Sequence, residues 1–135
     1  MNRHPYLRAY MAGVLLPSWV LLIALAGFVT ARTVYQLSLP IERVIVYPMA
    51  AVPNLWGLWN MLYRAMALKH RMPLGAWGAL LPLILVPGGL ALERLLDISL
   101  FTPWQALAVL PLILAIYYLV WKHLVGFFNR VVGLE

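Results

Sequence analysis

The sequence predicts an all-α integral membrane protein, a four-transmembrane-helix bundle with a proline-kinked central hairpin and both termini inside. Three observations carry that expectation. First, 64% of the 135 residues are hydrophobic and only 10% are charged, against about 25% charged in an ordinary soluble domain. So few charges cannot cover so much apolar surface, and the bilayer becomes the natural solvent. Second, the charges cluster at boundaries. Residues 9–31, 44–63, 72–92 and 98–121 carry none, and each window is close to the ~20 residues that a helix needs to cross ~30 Å of hydrocarbon. Third, the windows show no strand-type alternation. Helices, which satisfy their own backbone, are therefore expected rather than a β-barrel.

A single domain spanning residues 1–135 is expected, with helices over about 7–31, 40–67, 73–95 and 103–121. The first span lies between Arg8 and Arg32. Its basic start and the small-residue stretch Val29–Ala31 also fit a cleaved signal peptide. The apolar run, roughly 20 residues, is longer than the ~7–15 of a signal h-region, which favours a retained helix.

The second span opens with Pro40 and Glu42 in its first turn, where a carboxylate suits the helix dipole. Pro48 and Pro53 then lie inside it and free the carbonyls of Val44 and Met49, bending the axis. The third span starts at Pro73 and repeats the pattern with Pro82 and Pro87. The two segments read PMAAVP and PLILVP and run in opposite directions. Reflection about the connecting loop sets Pro53 opposite Pro82, Gly57 opposite Gly78, and Asn60 opposite Gly75. Close packing of the two helices at Gly57, Gly75 and Gly78 is the consequence expected of this symmetry. Asn60 would then hydrogen-bond across the seam.

The fourth span begins with Thr102, Pro103 and Gln105, a capping-box pattern with proline at the first helical position. Beyond it, residues 122–133 form an amphipathic tail. Lys122, Gly126, Asn129, Arg130 and Gly133 share one face, and Leu124, Val125, Phe128, Val131 and Val132 share the other. Such a helix suits the surface of the inner leaflet, either separate from the fourth span or extending it, with Lys122 and Arg130 favouring anionic lipids.

Orientation follows from the basic residues. Arg3, Arg8, Arg64, Lys69, Arg71, Lys122 and Arg130 fall on one side, and Arg32, Arg43 and Arg94 on the other. The positive-inside rule places both termini in the cytoplasm, and a bacterial inner (plasma) membrane is the expected setting. No separate basic domain exists to bind nucleic acid.

Chemistry-bearing residues are sparse. Cysteine is absent, which removes disulfides, thiolate metal sites and thiol nucleophiles. No Asp or Glu lies inside a span, which argues against proton- or cation-coupled transport. His4, His70 and His123 all lie at the cytoplasmic rim without ligand spacing, so no metal site and no cofactor is assigned. Asn54, Trp56, Asn60, Pro53 and Pro82 are the candidate ligand-binding residues, because broken helices at corresponding positions accompany transport sites. Trp56, Trp59 and Tyr63 share a helical face and offer a wall for a lipid, quinone or other apolar ligand. The reading as aromatic belt plus core is favoured over a ligand wall, for Trp59 and Tyr63 as for the other Trp and Tyr residues, since anchoring alone explains interfacial aromatics. Glu42, Arg43, Glu93, Arg94 and Asp97 gather at the outer mouth, where crossed Glu42–Arg94 and Arg43–Glu93 pairs would fix the register of the hairpin. No catalytic residue is assigned.

The expected function is that of a non-enzymatic structural or accessory membrane subunit. Its expected partners are the bilayer, anionic lipids at the C-terminal helix, and either a second copy or another membrane protein. The alternative is a carrier or channel for a small or apolar molecule, with its site at the Pro/Asn region.

Overall fold

The computed structural model describes residues 3–38, 49–98 and 102–134, the side chains of residues 67, 68 and 70 excepted. Among these residues the chain is all-helical. Helix α1 spans Pro5–Thr33. A 3-10 turn at Met49–Ala51 leads into α2 (Val52–His70). Helices α3 (Leu74–Leu80) and α4 (Pro82–Leu95) follow, then α5 (Pro103–Val120), a π turn at Trp121–Val125, and α6 (Gly126–Val131). Three stretches are long and apolar enough to cross a membrane: Pro5–Thr33, Leu74–Leu95 and Pro103–Val131. The expected second span is represented by α2 alone. This 19-residue helix carries Asn54, Asn60, Arg64 and Lys69, and residues 40–48, where that span was expected to begin, lie outside the described set. Among the described residues, three helices are thus long and apolar enough to span a membrane.

Proline acts at helix starts more than in helix interiors. Pro53 occupies the first turn of α2, where a missing N–H costs nothing. It therefore begins a helix rather than kinking one, and Pro48 lies outside the described residues. Pro82 divides the third span. Its missing N–H would strand the carbonyl of Gly78, but the Leu81 amide takes that carbonyl at 3.1 Å. Leu81 keeps helical angles, so α3 and α4 form nearly one rod. Pro17, Pro87 and Pro111 are the interior prolines. The capping box forms as the sequence predicts: the Gln105 amide donates to Thr102 Oγ1 and the Thr102 amide to Gln105 Oε1.

Burial is concentrated at one end. The buried residues of α1 are Ala9, Ala12, Gly13 and Pro17, all in its first half. From Trp19 onward, α1 has no buried residue. In α5 only Ala106 is buried, and burial resumes at Trp121, Val125, Gly126 and Asn129. The core there consists of Trp56, Trp77, Leu81, Trp121 and Val125. The helices are therefore clamped at the end holding the start of α1 and α6, and loosely packed at the other.

The pairing of helices differs from the mirror hairpin. The largest interface joins α1 to α2, and α3 packs mainly on α5 and the π turn. Glycines line both seams but never meet across α2 and α3. A Cβ on Gly13 would fall 2.6 Å from the Trp56 carbonyl oxygen and 2.9 Å from Gly57 Cα. A Cβ on Gly57 would strike Val14 and Tyr10. Gly78 is pressed against Trp121, and Gly75 against Tyr118 and Lys122. The reason lies in the tryptophans. Trp59 follows Gly57 by two residues, half a turn away, and it is Trp59 that faces α3. The seam between α2 and α3 holds Trp59 stacked on Trp77, ring centroids 4.9 Å apart, which leaves the glycines to face α1 and α5.

The tail is not a separate helix lying on the leaflet. It continues α5 through the π turn, and its Gly126–Asn129 face, expected to be exposed, is buried. Lys122 and Arg130 remain outward.

Candidate functional site

Two places in the fold combine polar groups with concave surface. The first is a polar knot at the clamped end. Asn60 projects from the middle of α2 and is 1% exposed, and Asn129, from α6, is 4% exposed. Asn60 Nδ2 donates to the Ala9 carbonyl at 2.7 Å and to Asn129 Oδ1 at 2.8 Å. Asn129 Nδ2 returns a bond to Asn60 Oδ1 at 3.3 Å. The reciprocal amide pair thus ties α1, α2 and α6 together. Between helices packed in lipid, such a bond contributes about 0.6–2 kcal/mol.

The end of α6 completes the knot. Gly133 adopts φ +73°, and its amide donates to the Arg130 carbonyl while that of Leu134 donates to Asn129. This is a Schellman cap with glycine in the left-handed position. Two arginines then collect the carbonyls left over: Arg8 Nη1 donates to Val132 O at 3.2 Å, and Arg64 Nη1 to Leu134 O at 3.0 Å. Cations at a helix C-terminus are favoured by its dipole. A void of about 20 Å³ lies between Asn60, Arg64, Asn129 and Leu134, room for about one water molecule.

The second place is an apolar groove of about 250 Å³ between α1, the start of α2, and α5. Pro17 and Val20 form one wall, Pro53 and Trp56 the floor, and Ile116 and Tyr117 the other wall. Trp56 is 6% exposed. Its ring lies 5.1 Å from Tyr117 and 5.2 Å from Trp121. Its indole N–H finds no hydrogen-bond acceptor among the described residues. A further groove of about 240 Å³ runs beside α4, lined by Ala51, Leu55, Ile84, Gly88 and Gly89.

The residues singled out from the sequence separate. Pro53 and Trp56 share the first groove. Asn60 belongs to the knot and is bonded to Ala9 and Asn129, not across to Gly75. Asn54 is exposed and accepts a hydrogen bond from the Tyr10 hydroxyl. Pro82 is fully buried in the core. Of the residues expected at an outer mouth, Glu42 and Arg43 lie outside the described residues. Glu93, Arg94 and Asp97 sit together at the end of α4. Asp97, at φ +53°, holds the left-handed position of a second Schellman cap, with the Ile98 amide on the Glu93 carbonyl at 2.8 Å. Among the described residues no three His, Asp or Glu side chains gather into a metal site.

Sequence reasoning missed Asn129, Arg8 and Arg64 as partners of the knot. One signal was present: Asn129 shares its face with Gly126 and Gly133, and small residues at helical spacing mark close helix approach. Trp77 and Trp121 also fitted an interfacial belt, but both are core residues. Comparison of the chain with protein-family models, with curated proteins and with solved structures finds no match.

Proposed function

We propose that the protein is a non-enzymatic accessory subunit of a membrane assembly, crossing the bilayer four times with both termini inside. The observation that supports this reading is the contrast between the two ends of the bundle. At the clamped end, polar side chains are committed to internal bonds: Asn60 to Asn129, and the Trp59 and Trp77 indoles to each other's carbonyls at 2.9 and 3.1 Å. At the other end, α1 and α4 present open apolar surface, with Ile23 68% and Ile84 57% exposed. A Cβ on Gly27, Gly88 or Gly89 would meet nothing within 4 Å. A rigid scaffold with an unfilled, small-residue groove suits reception of another transmembrane helix, because association in lipid is driven by close packing.

The carrier reading has less support, since the five candidate residues divide between the groove, the knot, the core and the surface. An enzyme would need titratable groups facing a pocket, and Glu93, which lines a groove with Leu90 and Ala106, is the one carboxylate so placed among the grooves described here.

A photoreactive amino acid at Ile84, in native membranes, tests the reading. It should capture one defined polypeptide, either a second copy or a distinct membrane protein. Capture of lipid alone would overturn it.

A further inference from the structure

We propose that the clamped end of the bundle binds acidic phospholipids, whose phosphate head groups supply negative charge to a surface of exposed cations. The inference does not rest on the accessory-subunit reading. Charge is the first observation. Arg3, Arg64, Lys69, Arg71, Lys122 and Arg130 are all exposed and all belong to that end. Glu93 and Asp97, the carboxylates among the described residues, lie at the far end of α4. None of the six cations therefore meets an Asp or Glu among the described residues. Their donors are also largely unspent. The bond from Arg64 to the Leu134 carbonyl uses one of the five N–H groups of a guanidinium. Among the described residues the Lys122 ammonium meets the Tyr118 ring, 5.8 Å from its centroid.

The second observation is what lies beside the cations. Leu119, one turn before Lys122, is 54% exposed, and Val131, next to Arg130, is 66% exposed. A soluble polyanion would cover the cations and leave these aliphatic side chains in water. A phospholipid answers both, since its phosphate pairs with the cation while its acyl chains run along the neighbouring aliphatic residues. The two cations also differ in depth. Lys122 precedes Arg130 by about 12 Å of helix at 1.5 Å per residue, so Lys122 stands nearer the tails and Arg130 nearer the water. Basic residues on one side of a membrane protein also set its orientation during insertion. That role ends with insertion and requires no preference among lipids.

Spin-labelled phosphatidylglycerol and phosphatidylcholine, compared in bilayers reconstituted with the full chain, decide the matter. The fraction of each label immobilised at the protein surface is read by electron paramagnetic resonance. Phosphatidylglycerol should be selected over phosphatidylcholine, and the selectivity should shrink as salt screens the exposed charges. The double substitution Lys122→Gln with Arg130→Gln removes two charges outside the polar knot, and glutamine keeps the stem that packs on Gly75. It should keep the parent melting temperature in neutral detergent and lower the selectivity, by up to about fivefold per cation removed. If that variant melts lower, Arg3→Gln with Lys69→Gln, at exposed positions outside the core, is read in its place. Equal immobilisation of the two lipids by the parent would overturn the proposal, since the cations would then serve orientation alone. So would a preference unchanged in the variant, or one abolished by glycerol phosphate in the water, which would mean that the surface holds the anion without the lipid.

Discussion

Asn60 shows how much one side chain can decide in lipid. Two helices held by dispersion alone can slide or rotate at little cost, because the surrounding tails are as apolar as the helix faces. A buried amide pair allows one register. Asn60 and Asn129 exchange bonds, so removing one amide leaves the other buried with polar groups unsatisfied, Asn60 keeping only its bond to the Ala9 carbonyl, at a cost of about 1–3 kcal/mol. Removing both eliminates the orphan. Asn60→Leu and Asn129→Leu should each lower thermal stability in detergent, and the double variant should lose less than the sum of the two. Strict additivity in melting would show that the amides do not depend on each other. From sequence alone Asn60 was recognisable as a polar group at depth, but its partner was not. Asn129 lies in a segment whose polar residues read as a solvated face, and nothing local distinguishes an asparagine that faces water from one that faces another asparagine.

At the scale of elements, the seam between α3 and the α5–π turn rod rests on Gly78. A Cβ there would sit 2.0 Å from Trp121 Cγ and 2.3 Å from its Cβ. Trp121 is fully buried and cannot withdraw, so the helices would have to part. Gly78→Ala should cost about 1–3 kcal/mol, the usual penalty of overpacking. Gly88→Ala, on the open face of α4, should not lower melting, since its Cβ meets nothing within 4 Å and a modest gain in helix propensity is available there. Equal melting of the two variants would mean that α3 does not pack on Trp121. The prolines and glycines of this region were legible as special positions. Their pairing was not, because reflecting the sequence about a loop assigns each residue a depth but not a direction. At 100° per residue, Gly57 and Trp59 lie at one level and face opposite ways.

For the whole molecule, composition and charge spacing were enough to read an all-helical chain with helices long and apolar enough to cross a membrane. They did not reveal that the bundle is tight at one end and splayed at the other. Apolar residues are equally at home against lipid and against protein, so the hydrophobic pattern that locates a core in a soluble protein carries no such information here. The proposed four-span topology makes a direct prediction. Single cysteines at Lys69 and Asp97, both exposed, should react with a membrane-impermeant maleimide from opposite sides of sealed vesicles. Labelling of both from one side would exclude an arrangement in which α3 and α4 cross the bilayer between them.

The polar knot also has a consequence for biosynthesis. Its members are far apart in the chain: Asn60 and Asn129 by 69 positions, Arg8 and Val132 by 124. At ~5–20 residues per second, Asn60 is made on the order of 3–14 s before the side chain that satisfies it. During that interval α1 and α2 can already pair through their glycines and the Ala9 carbonyl. The second half of the Asn60 amide must wait, in contact with lipid, the insertion machinery or a borrowed partner. Closure of the bundle is therefore timed by the arrival of α6, and a ribosome stalled before residue 129 would leave in the membrane a half-built hairpin with an exposed amide, the kind of nascent chain that quality-control proteases are placed to remove.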